Sequence, residues 1–142
     1  METIIDNSVN SYIFTDSEND IKSLITAVRN GINFNYFLNI AEYSNFNLHD
    51  WATILHLSER TMQRYKKESL TFEPLQSEKI LQIALILQKG QEVFGNSLKF
   101  NNWINADNQG LGGVKPKELL DNSFGIKLIE DELVKIEHGV LA

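Results

Sequence analysis

The sequence predicts an all-α fold, on three observations. Apolar residues recur with the helical period through most of the chain, and no stretch shows sustained apolar–polar alternation bounded by hairpin turns. Capping residues and glycines punctuate the periodic segments at helix-length intervals. With 142 residues, 42% hydrophobic and 23% charged, the chain can bury a core as one domain or two small ones.

Ser17 and Asp20 form a capping pair for a first helix that buries Ile21, Leu24, Ile25 and Val28, with Gly31 as its stop. Asn33 caps a short helix carrying Phe34, Phe37, Leu38 and Ala41, and Asn47 caps another carrying Leu48, Trp51, Ile54 and Leu55. Ser58 opens a helix through about Glu68, with Met62 and Tyr65 inward and Arg60, Gln63, Arg64 and Lys67 toward water. Beyond Pro74, residues 75–94 form the longest helix, apolar on a broad face and mostly buried, the expected spine between two halves.

After Gly95, Ser97 caps a helix carrying Leu98, Phe100 or Asn101, Trp103 and Ile104. Gly110, Gly112 and Gly113 make the following turn, free to take positive φ and to pack closely under Trp103. Pro116 starts a short helix that turns Leu119 and Leu120 to the core. Gly125 separates it from a last helix burying Ile126, Ile129, Leu133 and Ile136, which Gly139 ends. The expected organisation is a leader with one helix at 1–31, a helical module at 32–72, and the long helix with a second module at 73–142.

Composition removes several chemistries. Without cysteine there is no disulfide staple, zinc ribbon, thiol redox motif or cysteine nucleophile, which fits the cytoplasm. The opening METIIDNSVNSYIF has two acids and no base, unlike a signal peptide, and no run of apolar residues is long enough for a membrane span. The net charge of −6 argues against a surface that grips phosphates everywhere. Residues 32–69 are neutral, however, and their four bases, Arg60, Arg64, Lys66 and Lys67, fall together in a stretch without acids.

That basic helix follows a short helix and a tight turn at Leu57 and Ser58, which is the pattern of a helix-turn-helix. In such a motif the second helix presents side chains to base edges and its N-terminal N–H groups to a phosphate. Ser58, Arg60, Gln63, Arg64 and Lys67 are the expected DNA contacts: arginine forks match guanine, and a glutamine amide matches adenine.

The stretch NLHDWATILHLSERTMQRYKK resembles the DNA-binding part of Xre-type bacterial regulators. Downstream, VFGN at 93–96, Phe100, Trp103, Ile104, Asn108, Leu111-Gly112-Gly113, Pro116, Leu119-Leu120, Gly125 and IEHG at 136–139 resemble the toxin-binding domain of the Xre/MbcA/ParS antitoxin family. The resemblance implies an antitoxin of a two-gene module that masks a RES-type or related toxin acting on NAD and represses their shared promoter. It implies toxin contacts from Trp103 through the glycine turn, with Leu111, Gly112 and Gly113, and along the last helix with its tail Glu137, His138, Gly139, Val140, Leu141 and Ala142. A homodimer, or a higher assembly with toxin, and operator DNA complete the expected partners.

Masking has an independent physical rationale. A pocket that binds a pyrophosphate is lined with cations and N–H donors, and Glu130, Asp131, Glu132, Glu137 and the terminal carboxylate offer it an acidic complement. Other readings stay open: Glu130–Glu132 as the solvated face of a surface helix, Trp103 and Phe100 as core, and the whole chain as a stand-alone repressor with a ligand-sensing second half.

Catalysis is not expected. His49 and His56 are two helical turns apart, ~10 Å along the axis, too far to share a metal, and His138 is remote. NQGLGGVK lacks the G-K-[ST] ending of a phosphate loop. No nucleophile has an obvious base, so neither a metal nor a cofactor is expected.

Overall fold

The computed structural model describes residues 18–139. Among them the fold is all-α: α1 (Glu18–Asn30), α2 (Phe34–Ala41), α3 (Leu48–Leu55), α4 (Glu59–Glu68), α5 (Pro74–Phe94), α6 (Ser97–Ile104) and α7 (Ser123–Glu137). Two 3-10 turns, Gln109–Leu111 and Pro116–Leu119, lie between α6 and α7. The chain divides into two compact units at Leu85 and Ile86, so α5 supplies residues to both.

In the first unit, the helix boundaries follow local chemistry. The Asn33 side chain accepts from Asn35 N–H, and Asn47 and Asp50 form a reciprocal capping box at the start of α3. Gly31 ends α1 with φ of +85°, and an added Cβ there would meet Phe72 O at 2.5 Å. Residues 32–34 and 70–72 clasp each other: Phe72 N–H donates to Ile32 O at 2.8 Å, and Phe34 N–H to Leu70 O at 2.9 Å. Ser77, fully buried, reinforces the clasp by accepting from Ile32 N–H and donating to Phe72 O.

The core of this unit is aromatic. Trp51 meets Phe37 edge-on with centroids 4.9 Å apart, and Phe72 contacts Phe34, Phe37 and Tyr65. Ile40, Ile54, Leu55, Met62, Ile80, Ile83 and Ala84 are also buried. Two apolar expectations are corrected. Leu38 is exposed, because Ile40 takes the inward place on α2. Ile21 and Ile25 are 56% and 43% exposed, and Leu24 and Val28 only half-buried, so the apolar face of α1 is not sealed. It lines a groove of about 340 Å³ together with α5 residues including Leu81 and Leu85. The cap expected of Ser17 lies outside the described residues.

In the second unit, Ile86, Leu87, Phe100, Ile104, Leu120, Ile126, Ile129 and Leu133 are buried. Gly90 is buried directly against the Phe100 ring, which occupies the space a Cβ there would need. Asn96, rather than Ser97, caps α6, accepting from Lys99 N–H at 2.8 Å, which makes Ser97 its first residue and leaves Leu98 71% exposed. Gly125 does not separate two helices. It lies inside α7, behind the Asn122 cap, because a Cβ there would run into Leu119 O where α7 packs on the turn at 116–119. Leu119 and Ile136 are half-buried rather than core. Gly139, with φ of +71°, ends α7 as expected.

Candidate functional site

The first candidate surface is built by α3 and α4. His56 closes α3 in the left-handed region at φ 57°, and Leu57 N–H returns to Ala52 O at 3.0 Å, making the turn tight. Ser58 then caps α4: its hydroxyl accepts from Thr61 N–H at 3.0 Å and donates to Thr61 Oγ1 at 2.9 Å. Met62 anchors α4 in the core, and Tyr65 meets Phe72 at a tilt with centroids 5.1 Å apart.

With those two positions inward, Arg60, Gln63, Arg64 and Lys67 all face solvent. The Arg64 guanidinium lies 5.3 Å from the centroid of the Tyr65 ring and 3.8 Å from Glu68. Both partners of that ion pair are more than half exposed, so it restrains Arg64 weakly and leaves it free for a competing anion. At the other end, His49 Nδ1 is 3.6 Å from Glu59, which holds one acid beside the helix start. The arrangement presents two arginines one turn apart, an amide between them and a lysine in the next turn.

The second candidate surface belongs to the second unit. Trp103 is half-buried against Phe94 and Phe100, with centroids 5.6 and 6.3 Å away, a three-ring cluster that fixes α6. The glycine turn is held by Asn108: its N–H donates to Val114 O at 3.0 Å, and its carbonyl accepts from Leu111 and Gly113. Gly112 and Gly113 have φ of +83° and +84°, and nothing lies within 4 Å of a Cβ built at either. The turn therefore needs glycine for the sign of φ and not for close packing under Trp103, which corrects that expectation.

Leu111, rather than Trp103, faces α7 across a cleft of about 390 Å³, whose far wall includes Leu128, Asp131, Glu132, Val134 and Lys135. The α7 acids are interleaved with lysines. Asp131 lies 3.0 Å from Lys127, Glu132 4.0 Å from Lys135, and Glu137 2.7 Å from Lys89 of α5. The Lys89 hydrogen bond holds the Glu137 carboxyl below the usual carboxylate range. Partial burial pushes Glu130 up, against the pull of Lys127. The negative field expected of this segment is thus reduced by three lysines. His138 is exposed just beyond the helix, and Val140, Leu141 and Ala142 lie outside the described residues. Among the described residues, no group of three or more His, Asp or Glu is placed to hold a metal ion, and no helix is long and apolar enough to cross a membrane.

The antitoxin Xre-like helix-turn-helix domain model matches residues 23–85, and that of the antitoxin Xre/MbcA/ParS C-terminal toxin-binding domain matches residues 89–139. The chain belongs to the Xre/MbcA/ParS-type antitoxin family. This antitoxin is 26% identical over 104 residues to the antitoxin Xre of Yersinia enterocolitica, covering 67% of its own length and 70% of the relative's. Its fold is also similar to a chain in the crystal structure of the M. tuberculosis MbcT-MbcA toxin-antitoxin complex. The TM-score is 0.58 at 16% identity, with coverage of 86% of this chain and 97% of the other.

One feature of this antitoxin escapes a reading based on core periodicity. Phe124, Leu128 and Val134 are 84%, 51% and 43% exposed, all on α7. They are out of phase with Ile126, Ile129 and Leu133, and that phase difference is the signal that marks an apolar face with nothing inside to cover.

Proposed function

We propose that this antitoxin covers the nucleotide site of a RES-type or related toxin that uses NAD, and that it represses the promoter of both genes through α4. The role is regulatory and non-enzymatic. One observation carries the reading: a single chain joins a capped, outward-facing basic helix to a second compact unit that exposes Phe124, Leu128 and Val134 on its last helix.

On the toxin side, the α7 face with Leu111 supplies apolar contact area, while Glu130 and the tail from Glu137 onward supply the charge that a pyrophosphate pocket attracts. Trp103 then acts by fixing α6 through its contacts with Phe94 and Phe100. On the DNA side, Arg60, Gln63, Arg64 and Lys67 read or neutralise the major groove, and Ser58 sets the first turn that meets a phosphate. A patch this small on an acidic chain binds DNA weakly alone, so the reading includes a homodimer on half-sites about one DNA turn apart.

Coexpression with the product of the adjacent gene tests this. Full-length chain is expected to restore growth and to co-purify with that product. Phe124→Asp combined with Leu128→Asp, and separately truncation after Glu137, is expected to abolish both. Rescue that survives the two changes together overturns the proposed toxin surface.

A further inference from the structure

The cleft between the glycine turn and α7 lies wholly in the second unit, and its lining is of two kinds. Leu111, Leu128 and Val134 make it apolar, whereas Asp131 and Glu132 bring two carboxylates to it against the single ammonium of Lys135. The two acids are not equivalent. Asp131 is exposed and already held by Lys127 at 3.0 Å. The Glu132 side chain is only 23% exposed, and Lys135, itself well solvated, stands 4.0 Å from it, beyond hydrogen-bond reach. Gly110 keeps that carboxylate open. It lies in the 3-10 turn without the positive φ of Gly112 and Gly113, so its backbone conformation does not call for glycine. A Cβ there would instead lie 3.7 Å from Glu132 Oε1 and 3.2 Å from Asn108 Oδ1, covering the acid from the side of the turn. Phe124, Leu128 and Glu132 follow one another at four-residue spacing, so this acid continues the exposed apolar line of α7.

We propose that this cleft receives a long cationic side chain, arginine or lysine, from the rim of the toxin's nucleotide site, with Glu132 as its partner. Charge and shape select that occupant. An apolar group would strip water from Glu132 and leave it with one distant, solvated lysine, and an anion would meet two carboxylates. A lysine or arginine lays its methylenes on Leu111, Leu128 and Val134 and brings its head to Glu132, where the pair forms away from water and is worth more than an exposed one. Cations are also what a surface around a pyrophosphate pocket has to offer. Because the occupant belongs to the toxin, the assignment rests on the toxin-covering reading above, and the two are tested apart.

The complex of the full-length chain with the product of the adjacent gene, purified after coexpression, is mixed with excess unlabelled antitoxin, and the exchange of a labelled chain gives the dissociation rate. Circular dichroism of each free variant controls for folding. Glu132→Gln is expected to dissociate at least about tenfold faster with its thermal midpoint unchanged, whereas Asp131→Asn stays within about threefold of the wild type. Gly110→Val, at an exposed position, is expected to speed dissociation as Glu132→Gln does. Alanine replacement of each arginine and lysine of the partner is expected to find one that is non-additive with Glu132→Gln, and changing that residue to glutamate is expected to rescue Glu132→Arg. A Glu132→Gln complex as durable as the wild type, or a loss that no basic residue of the partner shares, overturns the proposal. Where Glu132→Gln is silent but Phe124→Asp with Leu128→Asp still destroys the complex, the cleft falls and the toxin surface stands; where neither acts, both fall. Coupling as expected in a complex that leaves NAD turnover by the toxin intact sustains the cleft and removes the nucleotide-site reading instead.

Discussion

Ile32 and Ser77, 45 positions apart in sequence, are joined by a buried hydrogen bond in which the Ile32 N–H donates to Ser77 Oγ at 2.8 Å. The same hydroxyl donates to Phe72 O at 3.2 Å, so one side chain satisfies both edges of the clasp that closes the helix-turn-helix. Ser77→Ala leaves a buried donor and a buried acceptor without that partner. The expected cost is about 1–3 kcal/mol, read as a lower thermal midpoint for the first unit. An unchanged midpoint refutes the bridging role.

Gly90 and Phe100 make a second such pair. Gly90→Ala forces the Phe100 ring out of its place, with an expected loss of about 1–3 kcal/mol. Adding Phe100→Leu, which vacates the ring's space, recovers part of that loss, so the two changes are non-additive in a double-mutant cycle. Because both residues belong to the second unit, toxin co-purification is expected to fall while operator binding stays within twofold.

Salt dependence tests α4. If each protomer neutralises roughly three phosphates, the operator affinity of a dimer falls with salt at a log–log slope of about −5. Lys67→Ala lowers that slope by about 1–2 across all sequences, since both protomers lose the contact. Arg60→Ala or Arg64→Ala, by contrast, costs about 1–3 kcal/mol per half-site and relaxes the preference at one base. A slope near zero excludes a phosphate-bound α4.

Glu130 and Glu137 respond to pH in opposite senses. Burial raises the Glu130 pKa above its unfolded value, so its ionisation destabilises the native state. That cost is absent in acid and grows as pH rises through the folded pKa. Glu130→Gln is therefore expected to raise the thermal midpoint at about pH 7 and to leave it unchanged at about pH 3. For Glu137 the pKa is depressed by Lys89, and the stabilisation is present above the unfolded pKa and lost as pH falls through the folded one. Lys89→Met removes that acid-labile part, and both effects are visible in melting curves across pH.

What was legible in the sequence was local. Asn33, Asn47 and Ser58 cap the helices they precede because a short polar side chain reaches only its own first turn. Met62 and the four outward residues of α4 follow from helical period alone. Where tertiary contact decides, the sequence is silent. Gly125 reads as a break until Leu119 O is seen against it, and Ile21 and Ile25 read as core because a pattern gives the apolar face of a helix without saying what covers it. The candidate DNA surface was visible as a run of bases. The last helix was named only through the family resemblance, and its exposed apolar residues were not, since Phe124 and Leu128 differ from core leucines and phenylalanines only in phase.

The open space around Gly112 and Gly113 has a chemical corollary. What the backbone asks of these two positions is handedness, with no limit on bulk. A synthetic chain carrying D-alanine at either position adopts the turn at lower entropic expense than glycine itself, whereas L-alanine resists it. The loop's requirement is thus a matter of stereochemistry, and mirror-image residues satisfy it.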